Sequence, residues 1–165
     1  MEHCVIRRAA PGDEKALAYI HTQSWSWALG KMVPQEVLEA QTDEAQAERL
    51  YAMILERGLA QVTLALVDGL PQCMAAWREC QDAPEGTAEL VCIHSLKDRV
   101  GRGYGSKVLL EVMEEMKKAE YHKVVLWVFE DNVRARGFYE KHGFAPTGEC
   151  REIFGDRELE YEKVL

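Results

Sequence analysis

Three neighbouring segments decide the fold: Glu89-Leu-Val-Cys-Ile-His-Ser95, Gly101-Arg-Gly-Tyr-Gly-Ser106 and Asn132-x-x-Ala-x-x-Phe-Tyr-x-Lys-x-Gly-Phe144. The first has the apolar and β-branched composition of a strand. The second is a glycine-rich turn that opens a helix, and such a turn exposes backbone N–H groups that can hold a phosphate or pyrophosphate. The third has its Asn, Ala and Tyr at helical offsets of three and four, so these residues share one helix face.

The rest of the chain surrounds these segments with alternating elements. Residues 4–9 read as a strand, and helical patterns follow as far as Leu55. Two strands, 61–67 and 72–77, are joined by Asp68-Gly69, a strong hairpin signal. A buried strand is predicted at 123–130, and a hairpin around 154–156 closes the chain. The pattern predicts an α/β (α+β) fold, a mixed sheet in one piece, with 1–165 forming a single domain.

Two common nucleotide-binding motifs do not fit the glycine turn. In the P-loop pattern a Lys precedes a Ser or Thr, but here Lys107 follows Ser106. In the dinucleotide fingerprint G-x-G-x-x-G the third glycine comes one residue later than Gly105, and the motif usually follows the first strand of its fold. A Rossmann-type dehydrogenase is therefore kept only as a rival, and such a protein would be stabilised by NAD.

The strand, the glycine turn and the tyrosine helix together resemble the acetyl-CoA core of the GNAT superfamily of N-acetyltransferases. The resemblance covers residues 61–165 well and implies a mostly antiparallel sheet of about six to seven strands flanked by helices. The family's pyrophosphate loop, [Gln/Arg]-x-x-Gly-x-[Gly/Ala], aligns with Val100–Gly105, with Gly103 and Gly105 as its key glycines. Val100 departs from that pattern and removes one side-chain donor, although Arg99 stands one residue earlier.

The resemblance implies the following cofactor contacts. The backbone of the strand pairs with the pantetheine arm of coenzyme A, and the turn holds the pyrophosphate. The residues so assigned are Cys92, Ile93, His94, Val100, Gly101, Arg102, Gly103, Tyr104, Gly105 and Ser106, with Asn132 and Tyr139 from the second helix.

Tyr139 is the candidate general acid. In the resembled family this tyrosine meets the sulfur of coenzyme A. Its ordinary pKa of about 10 lies close to the value of about 8.5 for a thiol, so proton transfer to a departing thiolate is nearly balanced. Phe138, the neighbouring aromatic residue, is expected to be part of the core.

An amine with a pKa near 10 must lose a proton before it attacks, and Glu89 is the candidate base, as well as a candidate substrate contact. His94 is the alternative. Strict strand alternation puts Glu89, Val91, Ile93 and Ser95 on one face and His94 on the other, but a bulge typical of the family would disturb this. Cys92 is not expected to act as a covalent nucleophile.

The acceptor pocket is expected near the end of the first helix. In the resembled family this region walls the pocket, so Trp27 is a candidate substrate contact. Trp25 is expected to be core. The closing hairpin would favour a cationic acceptor if it faces the pocket, because it is rich in acids: Glu149, Glu152, Asp156, Glu158, Glu160 and Glu162.

Composition narrows the class of protein. With 28 acidic and 20 basic residues the net charge is −8, which argues against nucleic acid as the main partner. No apolar run is long enough to span a bilayer, and Met1-Glu-His-Cys4 does not resemble a secretory signal, so a cytoplasmic protein without a membrane partner is expected. The five cysteines form no C-x-x-C pair, so no metal is predicted. Exposed edge strands would allow a homodimer.

These observations predict an N-acetyltransferase that moves an acetyl group from acetyl-CoA to a primary amine by direct attack. The acceptor is a small-molecule or peptide amine that the sequence does not name. The alternative is a non-catalytic regulatory module that binds acyl-CoA, which the departure at Val100 favours.

Overall fold

A computed structural model describes residues 1–165 and contains seven strands and five α-helices. The strands are β1 (Cys4–Arg8), β2 (Gln61–Val67), β3 (Leu70–Glu79), β4 (Thr87–Ser95), β5 (Lys123–Phe129), β6 (Ala145–Ile153) and β7 (Asp156–Val164). The helices are α1 (Glu14–Ser24), α2 (Gln35–Gln41), α3 (Glu44–Arg57), α4 (Tyr104–Lys118) and α5 (Val133–Lys141). A π-helical turn, Trp25–Leu29, continues α1, and a 3₁₀ turn, Lys97–Arg99, precedes α4.

The seven strands form one sheet in the order β1-β2-β3-β4-β5-β7-β6. Every neighbouring pair is antiparallel except β4 and β5, which run parallel. The mixed, mostly antiparallel sheet predicted from the sequence is confirmed. It is not the doubly wound parallel sheet of a dinucleotide-binding dehydrogenase, so that rival is wrong.

β4 and β5 pair only where they begin. Their register runs from Thr87 opposite Lys123 to Glu89 opposite Val125, and no pairing follows. The remainder of β4 keeps its neighbour β3 on one side and has no strand on the other. The sheet therefore opens into a gap in its middle, at the end of β4 that leads to the glycine turn.

A bulge in β4 changes which side chains share a face. Leu90 is opposite Trp77 and Cys92 is opposite Ala76, so Val91 is the extra residue. Leu90 and Ile93 pack in the cluster beneath α4, whereas Cys92 packs in the cluster on the other face. Strict alternation is therefore wrong beyond Val91. The bulge brings Cys92 and His94 onto the face of Glu89, and turns Ile93 and Ser95 away from it.

Hydrophobic clusters cover both faces of the sheet. On one face α4 contributes an apolar stripe at helical spacing, Val108, Leu109, Val112, Met113 and Met116. On the other face α1 and α3 supply Leu17, Ile20 and Tyr51, which pack against β2 and β3. No helix of the protein is both long and apolar enough to cross a membrane.

Candidate active site

The gap between β4 and β5 opens into a cavity of about 910 Å³. At one end the cavity reaches the glycine turn and the N-terminus of α4. At the other end it reaches α3 and the π-helical turn that follows α1. β4 and α5 form the walls between the two ends, so most of the residues named by sequence reasoning meet around one space: Cys92, Ile93, His94, Val100, Gly101, Gly103, Tyr104, Gly105, Ser106, Asn132, Tyr139 and Trp27.

The glycine turn has the geometry of an anion cradle. Gly101 and Gly103 have φ of 87° and 88°, a left-handed conformation that favours glycine, and no atom lies within 4 Å of a Cβ built on either. Lys107 is the first residue of α4 whose N–H bonds a preceding carbonyl, that of Gly103 at 3.1 Å. The N–H groups of the first turn are thus free for a ligand at the positive end of the helix. Gly105 is different, because its Cβ position lies 3.7 Å from the Phe138 ring.

An acidic side chain lies beside this cradle. The Glu2 carboxylate accepts hydrogen bonds from Arg102 and from the Tyr104 hydroxyl, and its Oε1 lies 3.3 Å from Nε of Arg99. The Tyr104 bond, with the charges of Arg102 and Arg99, lowers the pKa of Glu2. Arg99 lines the cavity, whereas Arg102 does not. Arg102, for which a cofactor contact is predicted, has an exposed side chain that binds Glu2.

Tyr139, which belongs to α5, also lines the cavity. It is buried in the cluster beneath α4, next to the rings of Phe138 and Phe144 at centroid distances of 5.5 and 5.7 Å. Its hydroxyl makes no hydrogen bond to the protein. Burial raises the pKa of this hydroxyl above its ordinary value, so it carries its proton at neutral pH. Phe138 packs against the core cluster, as expected, but it is only half-buried and also lines the cavity.

Two polar residues near Tyr139 also have structural partners. The Asn132 side chain accepts a hydrogen bond from the Ala135 N–H at 3.2 Å and so caps α5, which leaves its amide group facing the cavity. Ser106 Oγ lies 2.9 Å from His142 Nε2, and this contact ties the first turn of α4 to the end of α5. Both residues keep the cradle and the tyrosine helix in fixed relation.

Glu89 does not line the cavity. Its Oε1 lies 3.1 Å from Nε of Arg78, the residue opposite it on β3, and Arg78 does line the cavity. The carboxylate can therefore reach an amine in the cavity only through an intervening group such as water. The direct substrate contact predicted for Glu89 has no support in this geometry.

A buried polar network lies beneath the bulged strand. Nδ1 of His94 is 3.1 Å from the Ser24 hydroxyl, and the His94 and His21 rings meet edge to face at 5.2 Å. Gln41 Oε1 can only accept, so Nε2 of His21 donates to it at 3.0 Å, and Nδ1 of His21 accepts from the Tyr51 hydroxyl at 2.8 Å. Sequence reasoning missed this network because its members come from α1, α2, α3 and β4.

Burial keeps this network uncharged. Burial and the neighbouring His21 lower the pKa of His94 to about 3. Burial also lowers the pKa of His21 and raises that of the Cys92 thiol to about 12. A histidine that resists protonation so strongly is a poor acceptor for an amine proton, and a thiol that keeps its proton is a poor nucleophile. The alternative base His94 is therefore disfavoured, and Cys92 is not positioned as a nucleophile.

Trp27 closes the cavity between the π-helical turn and α5. Its indole N–H donates to the Ser95 carbonyl at 2.9 Å, and the Arg134 guanidinium lies 4.6 Å from its ring centroid. Arg134 therefore covers one face of the Trp27 ring, where the sequence predicts a contact with the acceptor. Trp25, expected to be core, is only half-buried and lines the cavity. The π-helical turn explains both placements, because its wider winding rotates the two tryptophans relative to an α-helix.

A family comparison decides what kind of protein has this site. The model of the acetyltransferase (GNAT) family matches residues 23–144, which include both the glycine turn and the tyrosine helix. The chain belongs to this family. A GNAT acetyltransferase takes its acetyl group from acetyl-CoA and transfers it to an amine, so the predicted enzyme class and cofactor are confirmed.

Individual relatives of this GNAT protein agree with the family. It is 27% identical over 145 residues to a probable N-acetyltransferase of Mycobacterium tuberculosis, covering 87% of this chain and 80% of the relative. The PaiA N-acetyltransferase of Thermoplasma acidophilum, solved with coenzyme A, superposes with a TM-score of 0.81 at 20% identity, over 96% of this chain and 98% of that one. A ribosomal-protein-alanine N-acetyltransferase of Brucella melitensis gives 0.77 at 20% identity, over 98% and 99%. At these identities the two structures show a shared fold.

The cavity of this GNAT protein fits its acetyl donor. The open cradle at Gly101 and Gly103 suits the pyrophosphate, and the unpaired side of β4 suits an extended pantetheine arm that forms strand-like hydrogen bonds. No group of three or more His, Cys, Asp or Glu side chains is arranged to hold a metal ion.

Proposed function

We propose that the chain, acting as one domain over 1–165, acetylates the primary amine of a small molecule or peptide, with Tyr139 as the general acid. The observation that carries this proposal is the position of Tyr139, which lines the same cavity as the anion cradle and whose hydroxyl makes no hydrogen bond to the protein. A hydroxyl donor at a cavity without a protein partner is available to a ligand atom. We propose a cytoplasmic enzyme that acts without nucleic acid or membrane.

The residues of the chain would divide the work as follows. Acetyl-CoA supplies an activated acetyl group as a thioester. The cradle N–H groups and the unpaired side of β4 bind and orient the donor, which brings its reacting carbon to a fixed place. A backbone N–H of β4 beyond Val91 points into the gap and would stabilise the negative oxygen that forms when the amine attacks.

Tyr139 would then donate its proton to the leaving sulfur. Burial disfavours the charged form of both partners, the phenolate and the thiolate, so the two pKa values rise together and the transfer stays nearly balanced. Glu89 is proposed to receive the amine proton through a water molecule, because Arg78 separates its carboxylate from the cavity.

The experiment that tests this proposal compares Tyr139→Phe with the unchanged protein. Acetyl-CoA is supplied with a panel of amines and peptides, and acetylated products are measured by mass spectrometry. We expect turnover to fall by roughly 10²–10⁴-fold while the dissociation constant of coenzyme A changes little. Tyr19→Phe is the matched control, because Tyr19 is exposed and does not line the cavity. Unchanged turnover in Tyr139→Phe would remove this residue from the mechanism.

A second candidate function is the regulatory module that binds acyl-CoA without transfer. The contact of Glu2 with Arg99 favours it, because this is the nearest basic side chain that could replace the donor missing at Val100. Coenzyme A binding without acetylation of any amine in the panel would support this candidate.

A homodimer is proposed through an edge strand. β1 and β6 are the two outer strands of the sheet, and each has a neighbour on one side only. Either edge could pair with the same edge of a second copy.

A further inference from the structure

The end of the cavity farthest from the glycine turn has an apolar wall. This region, the distal pocket, is bounded by Leu50, Ile54 and Leu59 around α3 and by Trp25 and Leu29 from the π-helical turn. Leu50 and Leu59 are 40% and 48% exposed, although large apolar side chains usually avoid water. Because both border the cavity, their exposed surface is available to an apolar part of a ligand.

The floor of the distal pocket is polar but uncharged. It is formed by the network of His21, Tyr51, Gln41, Ser24 and His94 described above. Burial lowers the pKa of both histidines, so neither is positive at neutral pH. Each member already has a hydrogen-bond partner inside the network. The floor therefore offers no full charge to a ligand.

The cavity offers no free carboxylate to a second cationic group. Glu158 is the only acidic residue that lines it, and its Oε2 is 2.7 Å from Nε of Arg151, which stacks on Trp127. The other acids of the closing hairpin, Glu149, Glu152, Asp156, Glu160 and Glu162, do not line the cavity. The sequence-based reason to expect a cationic acceptor is therefore removed, because Glu158 is paired with Arg151 and the other hairpin acids do not line the cavity.

Positive side chains, in contrast, do reach the cavity. Arg78 borders it near the start of β4, and Arg134 borders it beside Trp27. Arg134 makes no ion pair, so its charge is not cancelled by the protein. A ligand with a second ammonium group would be repelled by the Arg134 guanidinium and would lose water without gaining a counter-charge.

We propose that the acceptor is a primary amine attached to an apolar group and carrying no second positive charge. This inference rests on the proposed function and names the substrate class of the same site. The distal pocket would hold the apolar group, and the amine would face the bulged part of β4. Polyamines and other polycationic amines are excluded by the same argument.

The test compares two amines that differ in a single group. Pentylamine and 1,5-diaminopentane have the same five-carbon chain, but the terminal carbon of the second carries an ammonium group where the first carries only hydrogen. We expect kcat/KM for pentylamine to exceed that for 1,5-diaminopentane by tenfold or more. A Phe-initiated peptide and an Arg-initiated peptide, neither of which contains lysine, form the second arm, which tells a small-molecule acceptor from a peptide N-terminus.

A variant then links the preference to the pocket. Leu50→Glu places a carboxylate on the apolar wall, and Leu50→Gln places a side chain of the same shape without the charge. Both residues suit a helix, and Leu50 is exposed enough for the fold to tolerate them. We expect Leu50→Glu to raise the kcat/KM for 1,5-diaminopentane relative to pentylamine by tenfold or more, and Leu50→Gln to leave this ratio close to that of the unchanged protein.

The outcomes separate this inference from the proposed function. Faster acetylation of 1,5-diaminopentane than of pentylamine by the unchanged protein would overturn the substrate class and leave the enzyme proposal standing. Equal ratios in the two Leu50 variants would show that the distal pocket does not hold the acceptor, which also overturns the inference. No acetylated product from any amine or peptide would overturn the proposed function, and this inference with it.

Discussion

Acidification should destabilise this protein through His94. The pKa of His94 is about 3 in the folded protein and has its ordinary value of 6.5 in the unfolded chain. Because the folded pKa is the lower one, the unfolded chain binds the extra proton. The stabilising contribution is therefore complete above pH 6.5 and is lost as the pH falls toward 3. Between pH 7 and pH 5 this single group should lower the free energy of unfolding by about 2 kcal/mol.

The effect can be isolated with one variant. His94→Gln cannot titrate, and its amide can still hydrogen-bond the Ser24 hydroxyl. Urea unfolding at pH 7 and pH 5 gives the loss of stability for each protein. Titrating groups that do not interact with His94 contribute equally to both losses and cancel in the comparison. We expect the unchanged protein to lose about 2 kcal/mol more than the variant. Equal losses would mean that His94 is not buried in a neutral state, and would refute the argument.

Three further predictions concern the cradle and Glu89. Gly103→Ala should weaken coenzyme A binding by about 5- to 30-fold, because a φ of 88° strains alanine by about 1–2 kcal/mol. Gly12→Ala, which changes a glycine at a positive φ outside the cavity, should not weaken it. Calorimetric titration measures the dissociation constant of coenzyme A for both variants. Glu2→Gln should free Arg99 and strengthen coenzyme A binding about two- to fivefold at low salt, and this gain should shrink as salt is added. Weaker binding in the variant would mean that Glu2 positions the arginines for the cofactor instead. Glu89→Gln should lower turnover at pH 7 by about 10²-fold relative to the unchanged protein, and the loss should shrink at high pH, where more of the amine is neutral. If the ratio of the two turnover rates did not change with pH, Glu89 would be excluded as the base.

Local patterns were enough to predict the elements that build the cradle. The glycine turn, the tyrosine helix and the Asp68-Gly69 hairpin each depend on residues close together in the chain. Even so, local patterns locate the start of a helix only to within about one residue. Thr42 and Asp43 stand side by side before α3, and the cap is Asp43, whose carboxylate accepts the Gln46 N–H at 3.0 Å. Both residue types cap helices, so the sequence could not separate them.

The rest of the site depends on contacts between distant parts of the chain. Glu2 meets residues about one hundred positions away, and the His21 network draws on four elements. Neither has a local signal, because single Glu and His residues occur on any surface. The bulge could be expected from the resemblance, but its position at Val91 follows only from the register with β3. That one-residue shift decides which side chains face the cavity.

The short pairing between β4 and β5 makes the bound donor a structural component as well as a reactant. Two sub-sheets, β1 to β4 and β5 with β7 and β6, share only three residue pairs, and both have unpaired backbone groups along the gap. Open strand edges of this kind invite pairing with other chains. A donor bound in the gap would cover these open edges. At a concentration one hundred times its dissociation constant, the donor would add about 2.7 kcal/mol to the free energy of unfolding. Cellular coenzyme A would thus act on this protein as a protective ligand against misassembly even when no amine is present.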